Sequence, residues 1–179
     1  MKSVLASIST WLVLKQTICL EQILNLPYKF CCLDSSDKCF KAFIRKLSEL
    51  GISFTDITPK SHEQLFWSAE EFANKYIKLS KREIIILSIA KFYNLTLLTN
   101  NISLVEAADQ ENVYVIGILD ILEDMLQNDL INKFEYKKAL DNLNNKPGIN
   151  NLKLNTKVHS IVEKLNISNE EDILKTKRA

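Results

Sequence analysis

Short apolar runs alternate along the chain with longer stretches in which apolar residues recur every three or four positions. The runs are continuous, which is typical of parallel strands that are buried on both faces. The longer stretches have the spacing of amphipathic helices. The predicted strands are Ser3–Ser7, Tyr28–Leu33, Ile52–Ile57, Leu95–Thr99 and Val113–Ile116. The pattern therefore predicts an α/β protein, a three-layer α/β/α fold with a mainly parallel central sheet.

The helix predicted over Lys81–Tyr93 differs from the others because its middle is apolar on every side. Its segment Ile84–Ala90 has the sequence IIILSIA, so we expect it to be the most buried helix of the domain. Ser80 is the predicted N-cap of this helix. Trp11 and Trp67 lie in apolar stretches, and both are predicted to be core residues.

The 179 residues suit one domain with a short appendage. We place this domain at residues 1–144 and the appendage at residues 145–179. The appendage starts with an asparagine-rich loop around Pro147 and Gly148. An extra C-terminal helix, Val158–Leu165, and a flexible tail are predicted to follow.

Charge, cysteine spacing and the length of the apolar runs limit the class of protein and its compartment. Lys and Arg total 23 and Asp and Glu total 22, a formal charge of +1, so any field that attracts a nucleic acid must be local. The cysteines Cys19, Cys31, Cys32 and Cys39 lack C-x-x-C spacing, and we interpret them as reduced thiols of a cytoplasmic protein. No apolar run approaches the ~20 residues of a membrane span, and we interpret the apolar N-terminus as a strand and not as a signal peptide.

The stretch Leu79–Ile131 contains four features in order. A central helix carries Glu83 near its start, a strand leads into Leu97–Asn101, a second strand leads into a turn at Val115–Leu119, and a further helix precedes Asp129–Ile131. This arrangement resembles the second half of a PIN domain, most closely a bacterial and archaeal PIN-like family. The resemblance continues into that family's C-terminal helices and implies the same parallel α/β fold.

The resemblance implies a metal-dependent ribonuclease of the toxin–antitoxin type, with four acidic side chains at the carboxyl edge of the sheet. Mg²⁺ and Mn²⁺ prefer oxygen ligands and activate water for attack on a phosphodiester. The family pattern places these acids near Ala6, at Asp37 or alternatively Asp34, at Glu83, and at Asn101 or Asn100. Two of the four positions therefore hold no carboxylate in this chain.

The resemblance names Glu83 and Asp37 as the catalytic pair, and these two with Asn101 as the metal ligands. Glu83 lies 18 residues before Asn101, which is like the spacing of the family pair. Simpler interpretations exist for both acids, because Glu83 falls in a first helical turn and Asp37 suits helix capping. With so few anionic ligands, Mg²⁺ or Mn²⁺ should bind weakly. We therefore predict weak or lost catalysis with retained RNA or partner binding; the alternative is an active Mg²⁺- or Mn²⁺-dependent endoribonuclease toxin.

Candidate nucleic-acid-binding residues lie near the predicted strand ends, where ligands of parallel α/β folds gather. Ser7, Asn100 and Asn101 are predicted to hydrogen-bond an RNA backbone. Lys81 and Arg82 lie just before the acid of the central helix and are predicted to contact phosphates. The alternative is that the polar residues are caps and loop residues and that the cations form a solvated face.

An apolar stripe along the helix predicted over Ile118–Gln127 bears on partners. It consists of Ile118, Leu119, Leu122 and Leu126, and we expect the chain to leave it partly uncovered. The resemblance implies pairing through helices, so a homodimer or an antitoxin-like protein is the expected partner. The alternative is that these residues pack onto the sheet.

Overall fold

The structure is a computed structural model that describes residues 2–33, 41–55 and 63–144. Its strands are β1 (Lys2–Ala6), β2 (Tyr28–Leu33), β3 (Ser53–Thr55), β4 (Thr96–Leu98) and β5 (Val115–Ile116). They form one parallel sheet in the order β3-β2-β1-β4-β5. Each lies where the apolar runs predicted a strand, so the predicted α/β fold with a parallel sheet is confirmed.

Helices cover both faces of this sheet. They are α1 (Ile8–Thr17), α2 (Leu20–Ile23), α3 (Lys41–Glu49), α4 (Glu63–Lys75), α5 (Lys81–Phe92), α6 (Ile102–Gln110), α7 (Ile118–Gln127) and α8 (Lys133–Asn144). One core contains residues of α1, α2, α3, α7 and α8, and the other contains residues of α4, α5 and α6. The two cores lie on opposite faces because successive strand side chains point in opposite directions: Leu5 belongs to the α5 core and Ala6 to the other.

Helix α5 has six buried residues, the largest number in any described helix, although α7 buries the same share with five of its ten. Helix α5 buries Ile84 and all of Ile86–Ala90, while Ile85 is half-buried. Ser80 is its N-cap. The prediction that both tryptophans are core residues is half wrong: Trp11 is buried, but Trp67 is 58% exposed. Trp67 has apolar neighbours in the sequence, but it lies on the side of α4 that faces away from the core.

The apolar stripe of α7 is covered by the chain itself, so the expected uncovered surface is wrong. Ile118, Leu119 and Leu122 are buried and Leu126 is half-buried against the same core. Four residues of α8 join that core, namely Tyr136, Ala139, Leu140 and Leu143. A homodimer and an antitoxin-like partner stay predictions that this stripe no longer supports.

Several predicted features lie outside the described residues. They are Asp34, Asp37, Cys39, the loop after residue 144, the helix Val158–Leu165 and the tail. Cys31 and Cys32 are buried on β2, and Cys19 is exposed. Within the described ranges, every helix is too short or too polar to cross a bilayer.

The order of the strands marks one edge of the sheet as the place for a ligand. From β1 the chain adds β2 and β3 on one side and then returns to add β4 and β5 on the other. The carboxyl ends of β1 and β4 therefore flank the topological switch point, where open α/β sheets bind ligands.

Candidate functional site

Four helices begin at the carboxyl edge of the sheet. Helices α1, α6 and α7 follow β1, β4 and β5 after one to three residues, and α5 joins them because the side chains of Glu83 and Asn101 are hydrogen-bonded. Their N-caps are Ser7, Asn101, Gly117 and Ser80. Helix N-termini carry partial positive charge and backbone N–H groups; at α5 and α7 the carboxylates of Glu83 and Asp120 already accept the N–H of the N-cap residue.

Glu83 is the only carboxylate of the predicted acid set in the described residues, and its oxygens accept three hydrogen bonds. The backbone N–H and the hydroxyl of Ser80 both donate to Oε2 at 2.7 Å. Nδ2 of Asn101 donates to Oε1 at 2.5 Å. In return, the N–H of Glu83 donates to Ser80 Oγ at 3.4 Å, which completes a capping box. Glu83 therefore has a structural role at the start of α5.

Asn101 turns its nitrogen towards Glu83 because its oxygen is used elsewhere. Oδ1 accepts the backbone N–H of Leu104 at 3.3 Å and so caps α6. The backbone N–H of Asn101 donates to the hydroxyl of Thr99 at 3.2 Å. The predicted pair of residues is thus brought together, but as a carboxylate and a hydrogen-bond donor.

Within the described residues, Glu83 and Asn101 alone do not supply the oxygen ligands that a bound Mg²⁺ or Mn²⁺ needs. Such an ion needs several oxygen ligands, most of them anionic, whereas Asn101 offers Glu83 an N–H group. Across the described ranges, no group of three or more Asp, Glu, His or Cys side chains has the geometry of a metal site. The candidate ligand Asp37 and its alternative Asp34 lie outside those ranges.

The resemblance places the first acid position near Ala6, at the end of β1. Ala6 is fully buried, opposite Leu98 of β4, in the core on the face away from α5. Ser7 comes next and is half-buried. Its hydroxyl lies 2.7 Å from Ser9 Oγ and 2.9 Å from Thr10 Oγ1. The polar side chain that β1 offers at this edge is therefore Ser7, at the position after the expected one.

Asn100 joins β4 to the start of α7. Its Oδ1 accepts the backbone N–H of Ile118 at 3.0 Å. Gly117 lies beside this contact, because a Cβ on it would stand 2.9 Å from Asn100 Oδ1. The N–H of Gly117 donates to Asp120 Oδ2 at 2.6 Å. Asn100 thus acts as a structural connector at the edge where RNA contact was predicted.

Lys81 and Arg82 are the first two residues of α5 and are exposed. Cations at a helix N-terminus oppose the helix dipole, so the stability of the helix does not explain them. Their position next to Glu83 places both at the carboxyl edge.

A cluster around Glu111 was missed by the sequence analysis. Glu111 is 8% exposed and accepts hydrogen bonds from Lys75 Nζ at 2.6 Å, Lys91 Nζ at 2.5 Å and the hydroxyl of Tyr76 at 2.5 Å. Burial acts to raise the pKa of Glu111, but the hydrogen bonds from Lys75, Lys91 and Tyr76 outweigh it and lower the pKa to about 2. Glu111 raises the pKa of Lys75 in turn. No local motif indicates this cluster, because its members lie in α4, in α5 and just after the ends of α4 and α6, and they meet only in the fold.

Comparisons of the chain with protein-family models, with curated proteins and with solved structures found no match. The PIN-like resemblance therefore stays an expectation carried by residues Leu79–Ile131. What the site does must be argued from its own geometry.

Proposed function

We propose that this protein is a PIN-like module of the metal-dependent ribonuclease lineage that binds RNA at the carboxyl edge of its sheet and has weak or lost catalysis. The observation that carries the proposal is the contact between Glu83 and Asn101. The resemblance places two carboxylates at these positions, close enough to share a cation. Here an amide N–H donates to Glu83 where a cation would otherwise bind, and this hydrogen bond stabilises the carboxylate without a metal.

The same edge keeps features that suit a phosphate backbone. The N-termini of α1, α5, α6 and α7 gather there, and Lys81 and Arg82 add two exposed positive charges. Helix N-termini bind phosphates through backbone N–H groups and the dipole. The hydroxyls of Ser7, Ser9 and Thr10 form a polar group at the end of β1. Binding through phosphate contacts alone is largely independent of RNA sequence.

An RNA-binding titration tests this assignment. A fluorescently labelled single-stranded RNA should bind the wild type, and the double variant Lys81→Glu/Arg82→Glu should weaken binding about tenfold or more. The matched control is Lys133→Glu/Lys138→Glu, which makes the same change of charge at exposed positions of α8. An equal loss of RNA affinity in both double variants would show that only net charge matters. Unchanged RNA affinity in Lys81→Glu/Arg82→Glu would show that these two residues do not bind RNA.

Cleavage of the same RNA separates the proposal from the alternative enzyme. With Mg²⁺ or Mn²⁺ present, the wild type should cleave slowly or not at all. Rapid cleavage that Glu83→Gln abolishes would instead support an active endoribonuclease, with its other acids among residues such as Asp37.

A further inference from the structure

Helix α4 exposes two aromatic side chains next to each other. Phe66 is 42% and Trp67 is 58% exposed, and their rings meet edge to face with centroids 5.7 Å apart. The opposite side of the helix buries Leu65 and Phe72 in the core. The helix is therefore anchored by its inner face, and the aromatic pair contributes little to the core.

Acidic residues surround Trp67 on the outer face. Glu63, Glu70 and Glu71 lie four before, three after and four after Trp67, positions that are neighbours on a helix surface. All three are exposed. In the part of the chain that the structure describes, neither Glu70 nor Glu71 forms an ion pair. The one lysine of α4, Lys75, is bound to Glu111. The outer face of α4 thus carries three exposed glutamates around a large apolar ring, and two of them, Glu70 and Glu71, form no ion pair within the described residues.

The charge of this face selects among possible partners. A nucleic acid would bring its phosphates against three carboxylates, and a second copy that paired face to face would oppose the same glutamates. A basic segment has the complementary charge. Arginine also stacks on tryptophan and carries an apolar stem that packs beside the ring. Tryptophan and arginine are, in addition, the residues that dominate binding energy at interfaces.

We propose that the outer face of α4, formed by Glu63, Phe66, Trp67, Glu70 and Glu71, is a docking surface for a basic amphipathic segment of a partner protein. Arginines of that segment pair with Glu70 and Glu71 and stack on Trp67. An apolar residue of the segment packs against Phe66. None of these five residues belongs to the candidate site at the carboxyl edge, and the proposal does not depend on RNA binding.

The test uses a labelled synthetic amphipathic peptide with arginines on its polar face and leucines on its apolar face. A second peptide has every arginine replaced by glutamate. The arginine peptide should bind the full chain saturably in an anisotropy titration, with an affinity that falls as salt rises. Trp67→Ala should weaken it about tenfold or more, and Glu70→Lys/Glu71→Lys should weaken it and favour the glutamate peptide.

Two control variants make the result specific. Phe134→Ala removes an aromatic ring that is 77% exposed on α8, and Glu106→Lys/Asp109→Lys reverses two exposed charges on α6; both should bind the arginine peptide like the wild type. Equal binding of the two peptides, or undiminished binding by Trp67→Ala, would overturn the proposal. Loss of RNA affinity in Trp67→Ala would also overturn it, because the face would then serve RNA. Since Trp67 is exposed, an unchanged melting temperature verifies that each variant is folded.

Discussion

The side-chain nitrogen of Asn101 donates a hydrogen bond to Glu83 Oε1 across 2.5 Å. The two residues are 18 positions apart and belong to different elements, yet each also caps a helix. This one contact therefore fastens the start of α5 to the start of α6 at the switch point of the sheet. It also determines the chemistry of the edge, because an amide donor beside a carboxylate removes the need for a cation between them.

The buried face of α5 should tolerate no charged side chain. Ile86 is 3% exposed, so Ile86→Asp buries an unpaired carboxylate and should cost about 4 kcal/mol or more, enough to unfold most of the protein. Ile77→Asp is the control, because Ile77 is 86% exposed and should change stability little. Thermal unfolding followed by circular dichroism measures both. A folded Ile86→Asp protein with a normal melting temperature would contradict the central position of α5.

The Glu111 cluster should give the protein an acid-dependent part of its stability. The pKa of Glu111 is lowered from 4.5 to about 2 in the folded state, so the stabilisation is complete above pH 4.5 and is lost as the pH falls towards 2. Glu111→Gln should remove this part of the pH dependence. At neutral pH, Glu111→Gln should lower the free energy of unfolding by about 1–3 kcal/mol, because it removes both ion pairs. The loss is not larger because Lys75 and Lys91 are half-exposed and are hydrated by water in the variant.

Urea unfolding at several pH values measures this difference. Glu106→Gln is the matched control, because Glu106 is exposed on α6, the helix that ends just before Glu111, and should leave the pH dependence of stability unchanged. If the free energy of unfolding changes with pH in the same way for the wild type and Glu111→Gln, the ion pairs of Glu111 do not contribute to stability.

Gly117 should be needed for the contact between Asn100 and α7. A methyl group on residue 117 would lie 2.9 Å from Asn100 Oδ1, so Gly117→Ala should displace the amide and weaken its bond to the N–H of Ile118, at a cost of about 1 kcal/mol. In an Asn100→Ala background that cost should largely disappear. The double-mutant cycle uses thermal melts, and strictly additive effects would mean that the two positions do not interact.

How much of this could be predicted from the sequence depends on how local each cause is. The strands were predictable because their apolar runs are contiguous, and Ser80 was predictable as a cap because capping involves residues three apart. The burial of the α7 stripe was not predictable, because the residues that cover it belong to α8, which reaches the stripe only in the folded protein. The outward position of Trp67 depends on which side of α4 meets the sheet. Likewise, the resemblance implied that Glu83 and Asn101 meet, but the orientation of the amide depends on the cap it provides to α6.

Restoring carboxylates should convert the edge into a metal site, and the structure changes which residues to replace. Ala6→Asp would bury a charge in the core away from α5, whereas Ser7 lies at the edge and aspartate is as good an N-cap as serine. Asn101→Asp keeps an oxygen to cap α6 and sets a second carboxylate against Glu83. Without metal, Ser7→Asp/Asn101→Asp should therefore be less stable than the wild type, since like charges repel at this distance.

Mn²⁺ should reverse that destabilisation, because three carboxylates supply the anionic oxygen ligands that the ion needs. Calorimetry should show Mn²⁺ binding to the double variant and little to the wild type, and Mn²⁺ should raise the melting temperature of the double variant alone. Asn74→Asp, an exposed amide on α4, controls for added charge. A double variant that binds Mn²⁺ no better than Asn74→Asp would mean that Ser7 does not face Glu83 and Asn101, and the degraded carboxylate site would lose its structural basis. Tight binding without RNA cleavage would leave the site intact, since a ligand set displaced by about 1 Å can hold an ion and stay inactive.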